Sequence, residues 1–157
     1  HLYSFCCNIT GNRTDADDLY QETILKAIEL RHRLDSSGNP KSYLMGISVR
    51  LWKNNKRKYA IRQRILPTAD YDENLMQEVI DESSYPESEA IKKELIMTVR
   101  TGIKKLPEKL QIVLYMHYTA EMSLEEISKA LHIPMGTVKS RLYKGREKLK
   151  KEVWGYD

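Results

Sequence analysis

At 157 residues, 41% hydrophobic and 31% charged, with only 7 Gly and 5 Pro, the chain has apolar material for one domain or two small ones and too few turn residues for a strand-and-turn architecture; the expected class is all-α. The net charge of +4 conceals an uneven distribution: residues 1–65 hold 12 Lys+Arg against 6 Asp+Glu, residues 66–90 none against 8, and residues 91–157 hold 14 against 8. Two basic modules joined by an acidic segment suit two contacts with a polyanion, the join being kept off it.

Leu2, Phe5, Cys6 and Ile9 recur at i, i+3, i+4, i+7 and predict a first helix, ended by the turn Thr10-Gly11-Asn12. Cys6 and Cys7, adjacent inside that apolar run, have the spacing of neither a disulfide framework nor a zinc site, so a buried structural role is expected. In the second helix Thr14 and Asp17 resemble a capping box, and Asp15, Asp17 and Asp18 favour the positive end of the dipole. Ala16, Leu19, Thr23, Ala27 and Leu30 line one face, towards an end near Leu34.

After the loop Asp35 to Pro40, a third helix is expected from Lys41 to Arg64. Leu44, Ile47 and Leu51 lie on one side and Met45, Val49 and Trp52 on another, a stripe wide enough for more than one neighbour. Its second half sets Lys53, Lys56, Arg57, Lys58, Arg62 and Arg64 beside Trp52 and Tyr59. Cations interleaved with aromatics suit a nucleic-acid surface; a solvated basic helix end beside core aromatics accounts for them nearly as well.

Periodicity and basic residues disappear together after residue 65, which gives a domain at 1–65, a flexible acidic linker at 66–88 with a helical turn around Leu75 to Ile80, and a second domain at 89–157. The helical pattern resumes from Glu87 through Ile91, Leu95, Val99 and Ile103 to Leu106, and Pro107 opens another helix from Glu108 to Tyr118. No apolar run reaches the roughly 18 residues of a membrane span and no basic-then-apolar segment marks a signal peptide, so a cytoplasmic location without membrane insertion is expected. The chain opens at His1 rather than at a methionine, which leaves its natural start open.

Ser123 to Lys150 has the pattern of two helices meeting at a tight turn. Ser123 is a good N-cap and Glu126 completes a capping box, after which Leu124, Ile127 and Leu131 keep helical spacing. His132-Ile133-Pro134 breaks the pattern, because proline disfavours helix in the residue before it and fits the first turn of the next. Val138, Leu142, Gly145 and Leu149 then form an inward stripe, while Lys139, Ser140, Tyr143, Lys144 and Arg146 face outward. A helix-turn-helix with cations, a hydroxyl and a ring on its second helix suits a DNA groove. The alternative is a solvated basic face on a structural three-helix unit.

Two separated segments carry a family resemblance: DADDLYQETILKAIE (Asp15 to Glu29) and LPEKLQIVLYMHYTAEMSLEEISKALHIPMGTVKSRLYKGREKLKKE (Leu106 to Glu152). With them the chain resembles a bacterial RNA polymerase sigma factor of the extracytoplasmic-function class, the small kind that keeps only region 2 and region 4. The resemblance implies that Asp18, Gln21, Glu22 and Leu25 dock on core RNA polymerase, the apolar Leu25 standing beside three polar residues on one helix surface. It implies that Asn39, Tyr43, Asn54, Asn55, Lys56 and Arg57 serve the minus-10 element as separated strand, with a base flipped into the loop before the basic helix. It further implies that Thr137, Lys139, Ser140, Tyr143, Lys144 and Arg146 serve the minus-35 duplex, with Arg141 and Arg146 suited to phosphate or internal contacts.

The third helix departs from the family pattern: Tyr43 stands where tryptophan is common, Gly46 and Arg50 where arginine and asparagine are, and Trp52 where a small residue is typical. The implied partners are core polymerase, promoter DNA and an anti-sigma factor that could hold the chain at the membrane. No cofactor, metal or small-molecule substrate is implied, and no catalytic residue. A stand-alone helix-turn-helix regulator shares the GTVK segment and needs no docking helix. A metal-dependent nuclease using Asp15, Asp18 and Glu22 is a remoter reading, since no histidine completes the cluster.

Overall fold

The computed structural model describes residues 1–34, 37–67 and 90–155; the expected turn at Leu75 to Ile80 lies outside them. Among the described residues every regular element is helical. Two compact units make up the chain, α1 to α3 belonging to the first and α4 to α7 chiefly to the second.

In the first unit, α1 (Leu2–Thr10) stops at Gly11, whose φ of 80° is left-handed and whose amide returns to the Cys7 carbonyl. The N-cap of α2 (Arg13–Glu29) is Asn12 and not Thr14. Its side chain accepts from the Asp15 amide at 2.8 Å and donates to the Asp15 carboxylate at 2.7 Å. The carboxylate expected to complete the Thr14 box, that of Asp17, instead accepts the Tyr3 hydroxyl of α1 at 2.6 Å. Hydrogen bonding to that carboxylate, ahead of burial, pushes the Tyr3 hydroxyl up to about 12. α2 also ends earlier than Leu34, because a 3₁₀ turn takes over at Arg31–Arg33.

α3 (Pro40–Ile65) opens with Pro40 in its first turn and Asn39 as N-cap, the Asn39 side chain accepting from the Lys41 amide at 3.0 Å. The three helices meet over Cys6, Ala16 and Leu19, with Leu2, Tyr3, Cys7, Ile9, Leu51 and Trp52 packed against them. Thr23 is fully buried and returns its hydroxyl to the Leu19 carbonyl at 2.7 Å, so it adds no unpaired polar group. Both cysteines are free. Burial pushes the Cys6 thiol up to about 12 and raises Cys7 as well, the opposite of a nucleophilic thiol.

In the second unit, α4 (Ala90–Lys104), α5 (Glu108–Leu114), α6 (Leu124–Leu131) and α7 (Met135–Trp154) follow in order. The expected helix from Glu108 to Tyr118 changes character at Tyr115, where a π-helical turn covers Tyr115–Thr119 and the Ala120 amide bonds the Tyr115 carbonyl at 2.9 Å. Leu110, Val113, Met116, Ile127, Val138 and Leu142 are buried. Gly145 lets α7 approach α5: a methyl there would stand 3.2 Å from Cγ and Cδ1 of Leu114. Tyr115 is buried too, and desolvation pushes its hydroxyl up to about 12.

Candidate nucleic-acid interface

The helix-turn-helix is fixed by local bonds. The Ser123 amide donates to the Glu126 carboxylate at 2.8 Å and the Glu126 amide to the Ser123 hydroxyl at 3.1 Å, so the expected capping box is complete. At the turn, His132 takes a left-handed φ of 53° and the Ser128 hydroxyl donates to the Ile133 carbonyl at 2.6 Å. Pro134 then starts α7, its carbonyl accepting from the Thr137 and Val138 amides at 3.0 and 3.2 Å.

On α7, Val138, Leu142 and Gly145 are buried, which turns Lys139, Ser140, Tyr143, Lys144 and Arg146 outward, all exposed. Tyr143 leaves 62% of its surface open, a large ring with a polar tip and no cover. Thr137 and Arg141 are half-buried. From Met135 to Arg146 the helix carries four cations and no acid, so this face offers cations and hydrogen-bonding tips to a polyanion. Arg146 is already engaged: its Nη1 donates to the Tyr118 hydroxyl oxygen at 3.1 Å. Sequence reasoning passed over Tyr118, because only the π turn separates its exposed ring from the buried Tyr115 and Met116.

On α3, only Asn55 and Gln63 are even half-buried between Lys53 and Ile65, which leaves Asn54, Lys56 and Arg57 exposed. The Lys56 ammonium lies 5.6 Å from the centre of the Trp52 ring. Trp52 itself is half-buried against the first core, so this aromatic serves packing as well as the basic surface. Asn39 is exposed with its side-chain oxygen engaged in capping, and Tyr43 is half-buried in the first turn of α3.

Asp18, Gln21, Glu22 and Leu25 are all exposed along one face of α2, Leu25 at 62%. Ile28, three residues on and 52% exposed, adds a second apolar side chain to that polar face and was not singled out from the sequence. Glu22 accepts a hydrogen bond from the Asn55 side chain at 3.0 Å. Among the described residues no group of three or more His, Cys, Asp and Glu is placed to hold a metal ion. No described helix is long and apolar enough to cross a membrane.

Residues 1–62 match Sigma-70 region 2, and residues 96–149 match Sigma-70, region 4. The ECF RNA polymerase sigma factor SigW of Bacillus subtilis is 30% identical over 156 residues, covering 97% of this chain and 82% of SigW. The ECF RNA polymerase sigma-E factor of Escherichia coli K12 is 30% identical over 145 residues, covering 88% of this chain and 74% of that protein. The sigma factor RpoE of Bartonella quintana, solved in complex with the anti-sigma factor NepR, shares the fold, with a TM-score of 0.80 at 18% identity over 98% of this chain and 89% of that one. With both regions matched in order and relatives aligned along nearly its whole length, the chain belongs to the ECF family of RNA polymerase sigma factors.

Proposed function

We propose that the chain binds core RNA polymerase through Asp18, Gln21, Glu22 and Leu25 of α2 and directs it to promoters carrying paired minus-10 and minus-35 elements. Asn39, Tyr43, Asn54, Asn55, Lys56 and Arg57 serve the separated minus-10 strand, where aromatic and polar groups replace lost base stacking. Thr137, Lys139, Ser140, Tyr143, Lys144 and Arg146 serve the minus-35 duplex. The acidic segment at 66–88 joins the two domains and repels the same backbone that they attract. Phosphodiester chemistry is the polymerase's; this chain contributes recognition and strand capture.

The observation that carries the reading is the α7 face, where exposed Lys139, Ser140, Tyr143 and Lys144 stand opposite buried Val138 and Leu142. The shared fold with an RpoE solved on NepR supports an anti-sigma partner. The chain then acts in the cytoplasm, held at the membrane where its anti-sigma factor is a membrane protein. A stand-alone regulator binds its duplex tightly by itself. Affinity for promoter duplex, measured with and without purified core polymerase, separates the two: the sigma reading requires weak binding alone and tight binding with core, and equal affinities in both arms overturn it.

A further inference from the structure

We propose that Tyr118 and Arg146 together form a seat for one backbone phosphate of duplex DNA, beside the α7 reading face; the seat rests on the assignment of that face to DNA. Arg146 shares a helix stripe with Lys139 and Tyr143, at i+7 and i+3. The two acids of α7 are drawn elsewhere, Glu147 to Lys150 and Glu152 to Lys105, each at 3.1 Å.

The donor count defines the chemistry. A guanidinium has only donors, so in the 3.1 Å bond the Tyr118 oxygen accepts and its own O–H stays free to donate. Arg146 spends one of its N–H groups there and keeps others. The pair thus presents a charged donor and a neutral one side by side, with Tyr118 55% exposed and Arg146 exposed. Adjacent non-bridging oxygens of one phosphate match that arrangement, which carries no base preference.

The π turn holds the Tyr118 half of the seat in place before any ligand arrives. His117 donates from Nδ1 to the Met122 carbonyl at 3.0 Å, since a carbonyl can only accept. Its ring meets that of Tyr118 edge-on, with centroids 4.9 Å apart and planes at 75°. Tyr115 and Met116, both buried, fix the backbone beneath. The Tyr118 ring therefore has little freedom left to lose on binding.

The test titrates the full chain against a mixed-sequence duplex of about 30 base pairs over a series of low NaCl concentrations, where the weak electrostatic binding of the chain without polymerase is strong enough to measure and affinity reports phosphate contacts. Tyr118→Phe keeps the ring and its stacking and loses only the hydroxyl; it lowers affinity by about threefold to tenfold with the salt slope unchanged. Arg146→Gln lowers affinity and reduces the slope by about 0.9. The double variant binds about as weakly as Arg146→Gln alone, because the two groups act as one unit. Wild-type affinity in Tyr118→Phe, or losses that multiply in the double variant, overturn the seat. Lys139→Ala and Lys144→Ala are read alongside. If they weaken binding and Tyr118→Phe does not, the seat fails and the reading face stands; the reverse pattern removes the face and with it the seat as a neighbour of that face, leaving only an isolated phosphate contact.

Discussion

Glu22 of α2 and Asn55 of α3, 33 residues apart in sequence, meet in a hydrogen bond of 3.0 Å. The bond joins the face proposed to dock on polymerase to the helix proposed to hold the minus-10 strand. The bond is exposed to solvent, although Asn55 is half-buried, so it contributes at most about 1 kcal/mol to stability. Glu22→Ala is expected to weaken core polymerase binding about tenfold with the unfolding midpoint nearly unchanged. Asn55→Ala leaves core binding intact and slows promoter opening. Fluorescence anisotropy against core enzyme and strand-opening kinetics separate the two, and equal losses of core affinity in both variants contradict the division of labour.

Leu25 and Ile28 make a second case on the same helix. Exposed apolar side chains within a polar strip cost little to replace in the free chain, yet they matter wherever a partner covers them. Leu25→Glu is expected to reduce core affinity at least about tenfold while leaving thermal stability within about 0.5 kcal/mol of wild type. A competition assay against an unmodified sigma factor reads the first quantity and a urea titration the second. Unchanged competition places the docking surface elsewhere.

The capping box at Ser123 was legible in the sequence because it is a relation between residues three apart, closed by two short bonds. The same kind of reading chose the wrong register in α2. Asn12 with Asp15 and Thr14 with Asp17 are overlapping candidates, and the choice was made by the Tyr3 hydroxyl of another helix, which binds Asp17. Tertiary partners of this sort leave no local periodicity, and neither do Glu22 with Asn55 or Tyr118 with Arg146. The α7 face was legible, since Val138, Leu142 and Gly145 recur at helical spacing and fix what points outward. The π turn was not: Glu108 to Tyr118 reads as one continuous helix, and only the bond from the Ala120 amide to the Tyr115 carbonyl breaks it.

Loss of the capping box should be felt at the turn. Ser123→Ala is expected to cost about 1 kcal/mol in urea unfolding, since two amides at the start of α6 lose their partners or their geometry. Glu126→Gln retains a side-chain acceptor for the Ser123 amide and costs less. Equal losses in both variants would mean that the Glu126 charge contributes as much to the helix start as the Ser123 hydroxyl's hydrogen bond.

The alkaline limb of stability follows from buried acids. Cys6 rises from 9.0 to about 12 and Tyr115 from 10.0 to about 12, both chiefly through desolvation. A raised folded value means that the unfolded chain loses its protons first, so stability is complete below about pH 9 and falls as pH climbs towards about 12. Cys6→Ala flattens the limb between about pH 9 and 11, measured by denaturant midpoints, against the wild-type slope. In the native state at neutral pH, Cys6 reacts with a thiol reagent only at the rate of unfolding, while half-buried Cys7 reacts sooner. Equal rates contradict the burial argument.

Base reading and phosphate contact on α7 are separable. Lys144→Ala costs about 1 to 3 kcal/mol at one base pair if it reaches a base edge. A purely phosphate-binding Lys139 or Lys144 instead reduces the salt slope by about 0.9 without altering base preference. Unchanged binding and unchanged slope in both alanine variants remove the assignment of this face to the groove.

The central claim, that this chain gives core polymerase its promoters, is tested most directly by transcription from sheared bacterial genomic DNA with purified core enzyme. The expected result is a set of RNA starts that depend on the chain, share a two-part upstream motif, and disappear with Leu25→Glu. Core enzyme starting at the same positions with and without the chain would contradict the account.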